Sequence, residues 1–188
     1  MSGERRLWHA RHAAPMVPAG TCYGASDVPA DAQATQEAAA ALAASLPPAL
    51  EVLSSPLARC RVLAEALHAL RPDLPWRADP RLAEMDFGRW EGRPWDRVAR
   101  LEFDRWMADF PGWRCGGGEC VAQLMARVGA AFEETRRAAR GRLWITHAGV
   151  VRAARLLARG VPLPREAGDW PGDELAFGAA VCLPLASG

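Results

Sequence analysis

The chain has 188 residues, enough for one domain with a sizeable core. Half of its residues are hydrophobic, 24% are charged and the formal net charge is +1. That is an ordinary globular balance, with no basic excess to advertise nucleic-acid binding and no acidic tail, although a local basic pocket is compatible with it.

No stretch approaches the roughly eighteen apolar residues of a membrane span. The first residues, "MSGERRLWHARHAAP", carry two arginines but no apolar run after them, so they do not read as a signal peptide. A cytoplasmic protein is expected, with no membrane partner. Cys22, Cys60, Cys115, Cys120 and Cys182 contain no CxxC pair and are odd in number, which suits free thiols in a reducing compartment. The spacing of Cys115 and Cys120 is wrong for a common zinc finger, so no metal is expected.

In chain order, "RRLWHAR" reads as a short strand ending near Arg11, and "VPAGTCYGASDVPAD" as a loop. "TQEAAAALAASL" reads as an Ala-rich helix with an acidic first turn, closed by two prolines. "LEVLSS" is a short apolar strand. It runs into "SPLARCRVLAEALHAL", a helix with Ser55 as N-cap, Pro56 at its first position and an apolar stripe of Leu57, Val62, Leu63, Ala66, Leu67 and Leu70. The region from about 71 to 119 reads as an irregular insertion over the sheet. Within it, residues 95–113 form a short amphipathic helix and "RCGGGE" a flexible break.

Residues 120–139 then read as a long helix with apolar positions 121, 124, 125, 128 and 132. "RGRLWITHAG" is a strand running into a turn, "VVRAARLLARG" a helix stopped by Gly160, and "ELAFGAAVCLPL" a final strand. This alternation predicts a single α/β domain over residues 1–188. Its architecture is a three-layer α/β/α sandwich with a mainly parallel central sheet.

Sites in such sheets form beyond the carboxyl ends of the strands. Arg11 and His12 follow the first strand, Ser54-Ser55-Pro56 the second with Arg59 just beyond, and Thr146-His147-Ala148-Gly149 a later one. Converging there, two arginines, two histidines and helix N-termini would all favour an anion. Arginine forks fit phosphate oxygens. A neutral histidine among them could attack phosphorus and divide one displacement into two. A leaving oxygen needs a proton, and "RLAEMDFGRWEG" offers Glu84, Asp86 and Glu91. Spacing does not choose among these three.

At this point "ARHAAP", "SSPLARC", "LAEMDFGRWEG", "GGGEC" and "THAGVVRA" resemble, in order, the motifs of the histidine phosphatase superfamily, also called the phosphoglycerate mutase-like family. The likeness runs from about Leu7 to Leu157. It implies a metal-independent phosphatase without a cofactor, acting on a small-molecule phosphate ester. It implies His12 as the residue transiently phosphorylated, Arg11, Arg59 and His147 as the phosphate clamp, and Glu84 as proton donor. A homodimer is the family-level expectation.

"AGTCYGASDVP" further resembles a stretch of the bacterial α-ribazole phosphatases, which remove the 5′-phosphate from α-ribazole phosphate or the corresponding corrinoid phosphate in cobalamin assembly. On that likeness Cys22 and Tyr23 face substrate.

Ala13, Ala148 and Cys120 depart from the glycines and serine usual in these motifs, and Pro18 stands where an asparagine is customary. The missing asparagine weakens a mutase reading. A broad phosphatase or mutase of the same fold, and a non-catalytic phospho-ligand binder, are the rival readings. The complete set of Arg11, His12, Arg59, Glu84 and His147 argues against the binder. Outside the set, His9 reads as a core or nearby supporting residue on the strand face opposite His12, His68 as a boundary residue, and Trp90 or Trp95 as the wall of a substrate base.

Overall fold

The computed structural model describes residues 6–185. Strands β1 (Arg6–Arg11), β2 (Glu51–Ser54), β3 (Trp76–Ala78), β4 (Arg142–Thr146) and β5 (Ala180–Pro184) form one sheet in the order β3-β2-β4-β1-β5. The pairs β2–β3, β2–β4 and β1–β4 are parallel, and β5 runs antiparallel along β1. The helices are α1 (Ala32–Ser45), α2 (Ala58–Leu70), α3 (Arg100–Ala108), α4 (Val121–Arg137) and α5 (Ala148–Ala158).

Strand residues alternate between two cores, as a period-2 backbone requires. Leu7, Leu53 and Trp144 point into a cluster with Leu124 and Val128 of α4 and Val150 and Ala154 of α5. Ala10, Val52, Leu143 and Ile145 point the other way, against Leu42 of α1 and Leu63 and Leu67 of α2. Helices therefore cover both faces, which gives the three-layer sandwich and buries the sheet on both sides.

The structure departs from the sequence-based expectations in several places. Residues 76–78, expected within an insertion over the sheet, are its edge strand, with Val52 opposite Trp76. Only three residues long and largely exposed beyond Trp76, β3 carries no hydrophobic signal. Helix α1 begins at Ala32, where the Asp31 carboxylate accepts from Ala34 N at 2.7 Å, so Glu37 lies beyond its first turn. Helix α2 begins at Ala58, not at Pro56, and Ser55 is not its N-cap; Ala58 N donates instead to Asp27 Oδ1 at 2.6 Å. Val62 and Leu70 leave the predicted stripe for solvent, at 39% and 52% exposure.

The segment "RCGGGE" is not a flexible break. Glu119 N donates to Asp86 O at 2.7 Å, and a Cβ on Gly116 would lie 2.1 Å from Phe87 O. The glycines are there because the two loops touch backbone to backbone.

The parallel ladder brings three strand ends to one edge of the sheet. His12 N donates to Thr146 O at 3.1 Å and Ser55 N to Ile145 O at 2.9 Å. The residues just after β1, β2 and β4 are thus neighbours.

Candidate active site

His12 sits at this edge, 2% exposed. Its Nδ1 lies 2.7 Å from its neighbour's carbonyl, Ala13 O. A carbonyl only accepts, so Nδ1 carries the proton and Nε2 keeps its lone pair. Burial, with the positive fields of Arg59 and Arg11, pulls the pKa of His12 down to about 3, although the Ala13 bond opposes this. The ring is neutral at physiological pH. Ala13 has no positive φ, so its methyl group is accommodated without backbone strain.

Two guanidiniums flank this ring. Arg59 is fully buried; its Nη1 donates to Ser26 O and its Nη2 to Gly24 O, each at 2.7 Å. Arg11 donates through Nη1 to Glu174 Oε1 at 2.6 Å and to Leu175 O at 2.8 Å. In both arginines Nε is buried without a hydrogen-bond partner.

His147 ends β4 and precedes α5. Its ring centroid is 5.1 Å from that of His12, and its Nε2 is 2.7 Å from Ser55 Oγ. Cys60 Sγ approaches the same nitrogen at 3.5 Å. Burial, then the nearby Arg59, pushes the His147 pKa well below the ordinary imidazole value. Burial pushes the Cys60 thiol up, so it stays protonated beside the ring.

The structure separates the three carboxylates that spacing left equal. Glu91 is engaged by the backbone N–H groups of Ala25, Ser26 and Phe87 at 2.6–2.9 Å, and by the Ser26 hydroxyl. It fixes the loop whose Gly24 and Ser26 carbonyls hold Arg59. Asp86 is exposed and caps its own turn at Gly88 N, 2.7 Å away. Glu84 lines the same cavity as His12. Its Oε2 accepts from Gly149 N at 3.0 Å and its Oε1 from Met85 N at 3.0 Å.

That cavity has a volume of about 310 Å³. Arg11, His12 and Glu84 line it, and Phe87, Trp95, Trp106, Phe110 and Trp170 supply an aromatic wall. The rings touch in series: Trp95 meets Phe87 at 5.2 Å between centroids, Trp106 stacks on Phe110 at 5.6 Å, and Phe110 meets Trp170 at 5.9 Å. Arg59 and His147 do not line it; both are buried.

Tyr23 lines the cavity, its ring 5.3 Å from the Arg59 guanidinium carbon, and burial raises its phenol pKa. Cys22 does not face substrate: it is fully buried in the hydrophobic core, where burial pushes its thiol up to about 12. The stretch containing both is largely scaffolding, since Asp27 caps α2 and Gly24 and Ser26 hold Arg59. Trp95 lines the cavity, but Trp90 is core, its indole N–H bonded to Glu102 at 2.6 Å. His9 packs edge-on against Trp144 at 5.5 Å, with both ring nitrogens unpartnered. His68 is half-buried and pairs with Leu74 O at 3.1 Å. Among the described residues, no group of three or more His, Cys, Asp or Glu side chains is placed to hold a metal ion, and no helix is long and apolar enough to cross a membrane.

Sequence reasoning missed the supports. Arg127 donates to the carbonyls of Arg81, Ala83 and Glu84 at 2.6–3.2 Å and is itself held by Glu119 at 2.7 Å, so it fixes the loop that carries Glu84. The Glu in "GGGEC" was the available signal. Cys120 stands at the N-cap of α4, its backbone N–H bonded to Gln123 Oε1 at 3.0 Å.

The chain is similar to known proteins. Residues 7–169 match the model of the histidine phosphatase superfamily, branch 1. The solved structure of TTHB049 from Thermus thermophilus is similar at 28% identity and a TM-score of 0.72, covering 95% of this chain and 92% of that one. The mycobacterial glucosyl-3-phosphoglycerate phosphatase shares the fold at 24% identity and a TM-score of 0.76, over 95% and 89% of the two chains. A protein described as mycobacterial hydrolase 1 shares it at 24% identity and a TM-score of 0.78, over 95% and 90%. No curated protein matches the sequence. With its arginines and paired histidines at the carboxyl edge of a mainly parallel sheet, the chain belongs to the histidine phosphatase superfamily, as a phosphatase.

Proposed function

We propose that the protein hydrolyses phosphate monoesters through a phosphohistidine at His12. The observation that carries this reading is the bond from His12 Nδ1 to Ala13 O, which leaves a neutral ring with its lone pair on Nε2 between two guanidiniums. His12 Nε2 forms a bond to phosphorus as the ester P–O bond breaks. Arg11, which lines the cavity with His12, meets the negative charge on the transferring group; Arg59 and His147, the other expected clamp residues, are buried outside that lining, from where the Arg59 guanidinium adds its positive field. Glu84 gives its proton to the departing alkoxide. It then takes one from the water that attacks the phosphohistidine, as the P–N bond breaks, inorganic phosphate leaves and His12 Nε2 regains its lone pair. No step draws on a metal or cofactor.

The finer assignment is α-ribazole 5′-phosphate, a small ester with a planar aromatic base. The sequence likeness in "AGTCYGASDVP" and the aromatic wall of the cavity both support it. A volume of about 310 Å³ is at the small end of ligand sites and favours the free riboside phosphate over the corrinoid phosphate.

The test is phosphate release from α-ribazole 5′-phosphate in EDTA, by wild type and by His12→Ala. Release that the mutant loses supports both mechanism and substrate. Release from other esters but not from this one rejects the substrate alone. Loss of activity on adding EDTA rejects the metal-free mechanism.

A further inference from the structure

Just ahead of β5, residues 174–179 run across the carboxyl end of β1. Gly178 N donates to Arg11 O at 3.1 Å and to His12 O at 3.0 Å, and Arg11 N donates to Ala179 O at 3.0 Å. The segment is therefore anchored to the backbone of the two residues at the centre of the site. Its side chains then take hold of one guanidinium. Glu174 Oε1 and Leu175 O share Arg11 Nη1, and the Phe177 ring lies 3.8 Å from the guanidinium carbon. The same ring is 5.4 Å from that of His12.

These contacts occupy one nitrogen and one face of Arg11. A free arginine side chain loses much rotational freedom on binding an anion, and a guanidinium already held on its far edge loses less. Glu174 is well placed for this, because its partner is 8% exposed while its own side chain is 59% exposed. The ion pair orders the buried partner while the carboxylate stays solvated.

We propose that Glu174 is a positioning residue for Arg11: with Leu175 O and Phe177 it fixes the guanidinium in the cavity beside His12, where the transferring phosphate is met. This rests on the phosphatase reading above. It adds to the site a segment that follows the last of its sequence motifs. A carboxylate so close to bound phosphate also repels it, and a purely competing anion is the opposite reading.

The experiment measures KM for a phosphate monoester and Ki for inorganic phosphate in wild type, Glu174→Ala, Glu174→Gln and Phe177→Leu. If Glu174 positions Arg11, the alanine variant raises both constants by roughly fivefold to tenfold. Glutamine restores most of the loss, because its side-chain oxygen accepts the same bond, and Phe177→Leu raises both constants by a smaller factor. A change that merely reduced the folded fraction would lower kcat and leave both constants alone. Constants that fall in Glu174→Ala would overturn the proposal in favour of the competing anion, and unchanged constants would overturn it outright. If wild type neither hydrolyses esters nor binds phosphate, the phosphatase reading falls, and this proposal falls with it. If wild type is active and the variants match it, only this proposal fails.

Discussion

Gly149 and Glu84 are matched to each other: the Gly149 N–H donates to Glu84 Oε2 at 3.0 Å, and a Cβ at position 149 would lie 2.3 Å from Glu84 Oε1. The second glycine of the motif around His147 is required by the carboxylate, whereas Ala148, the first position of α5, has room for its methyl group. Gly149→Ala must push Glu84 away from its bond. Displacing a proton donor by about 1 Å can lower a rate by around a hundredfold. We expect kcat for an alkyl phosphate to fall by one to two orders of magnitude while the melting temperature changes little. Unchanged kcat would mean that Glu84 does not act from this position.

Glu84→Gln separates the proton from the packing. An alkoxide leaves poorly without a proton, but p-nitrophenolate needs none. Turnover of an alkyl ester should drop by roughly a hundredfold or more, and turnover of p-nitrophenyl phosphate much less. Equal losses with both esters would remove the general-acid role.

Arg127 holds the loop that carries Glu84 but does not itself line the cavity that His12 and Glu84 share. Replacing it with Met keeps much of the apolar stem but leaves the carbonyls of Arg81, Ala83 and Glu84, and the Glu119 carboxylate, without their shared donor. We expect a loss of about 1–3 kcal/mol in stability and lower kcat for alkyl esters, with less effect on p-nitrophenyl phosphate. Chemical denaturation and the two-ester comparison check the two parts separately.

The amount that the sequence reveals follows from how each feature is encoded. The two cores were legible because positions 121, 124, 125, 128 and 132 of α4, and Leu63 and Leu67 of α2, are apolar at helical spacing. Arg11, His12, Arg59 and His147 could be proposed because each sits in a short contiguous motif next to a strand or helix end, whereas Glu84 was chosen only through the family resemblance. β3 was not, since three mostly exposed residues carry no pattern. Cys22 was misplaced because adjacent loop residues can face opposite ways: Tyr23 lines the cavity while Cys22 enters the core. Glu174 escaped notice because its partner is distant in sequence, 163 residues away at Arg11, and Arg127 because the carbonyls it holds lie 43 to 46 residues away. Nothing local in the sequence marks such a pair.

Three buried histidines make stability depend on pH in a defined window. His9 and His12 have pKa values lowered to about 3, chiefly by burial, and His147 is also lowered. In the unfolded chain each returns to about 6.5. Between these limits the unfolded state binds more protons, so stability is complete above about pH 6.5 and declines as pH falls towards 3. Each histidine contributes a slope of up to about 1.4 kcal/mol per pH unit. Between pH 6.5 and 5 most carboxylates still hold their charge, so the histidines dominate the slope there. His9 isolates the effect, because it lies in the core with both ring nitrogens unpartnered. His9→Phe keeps an aromatic ring against Trp144 and removes both the titration and the unsatisfied nitrogens. We expect it to raise stability at neutral pH by about 1 kcal/mol. It should also reduce the loss between pH 6.5 and 5 by about one histidine's share. Urea denaturation of both proteins at several pH values measures this. Parallel pH profiles for wild type and His9→Phe would show that His9 does not titrate differently in the folded and unfolded states.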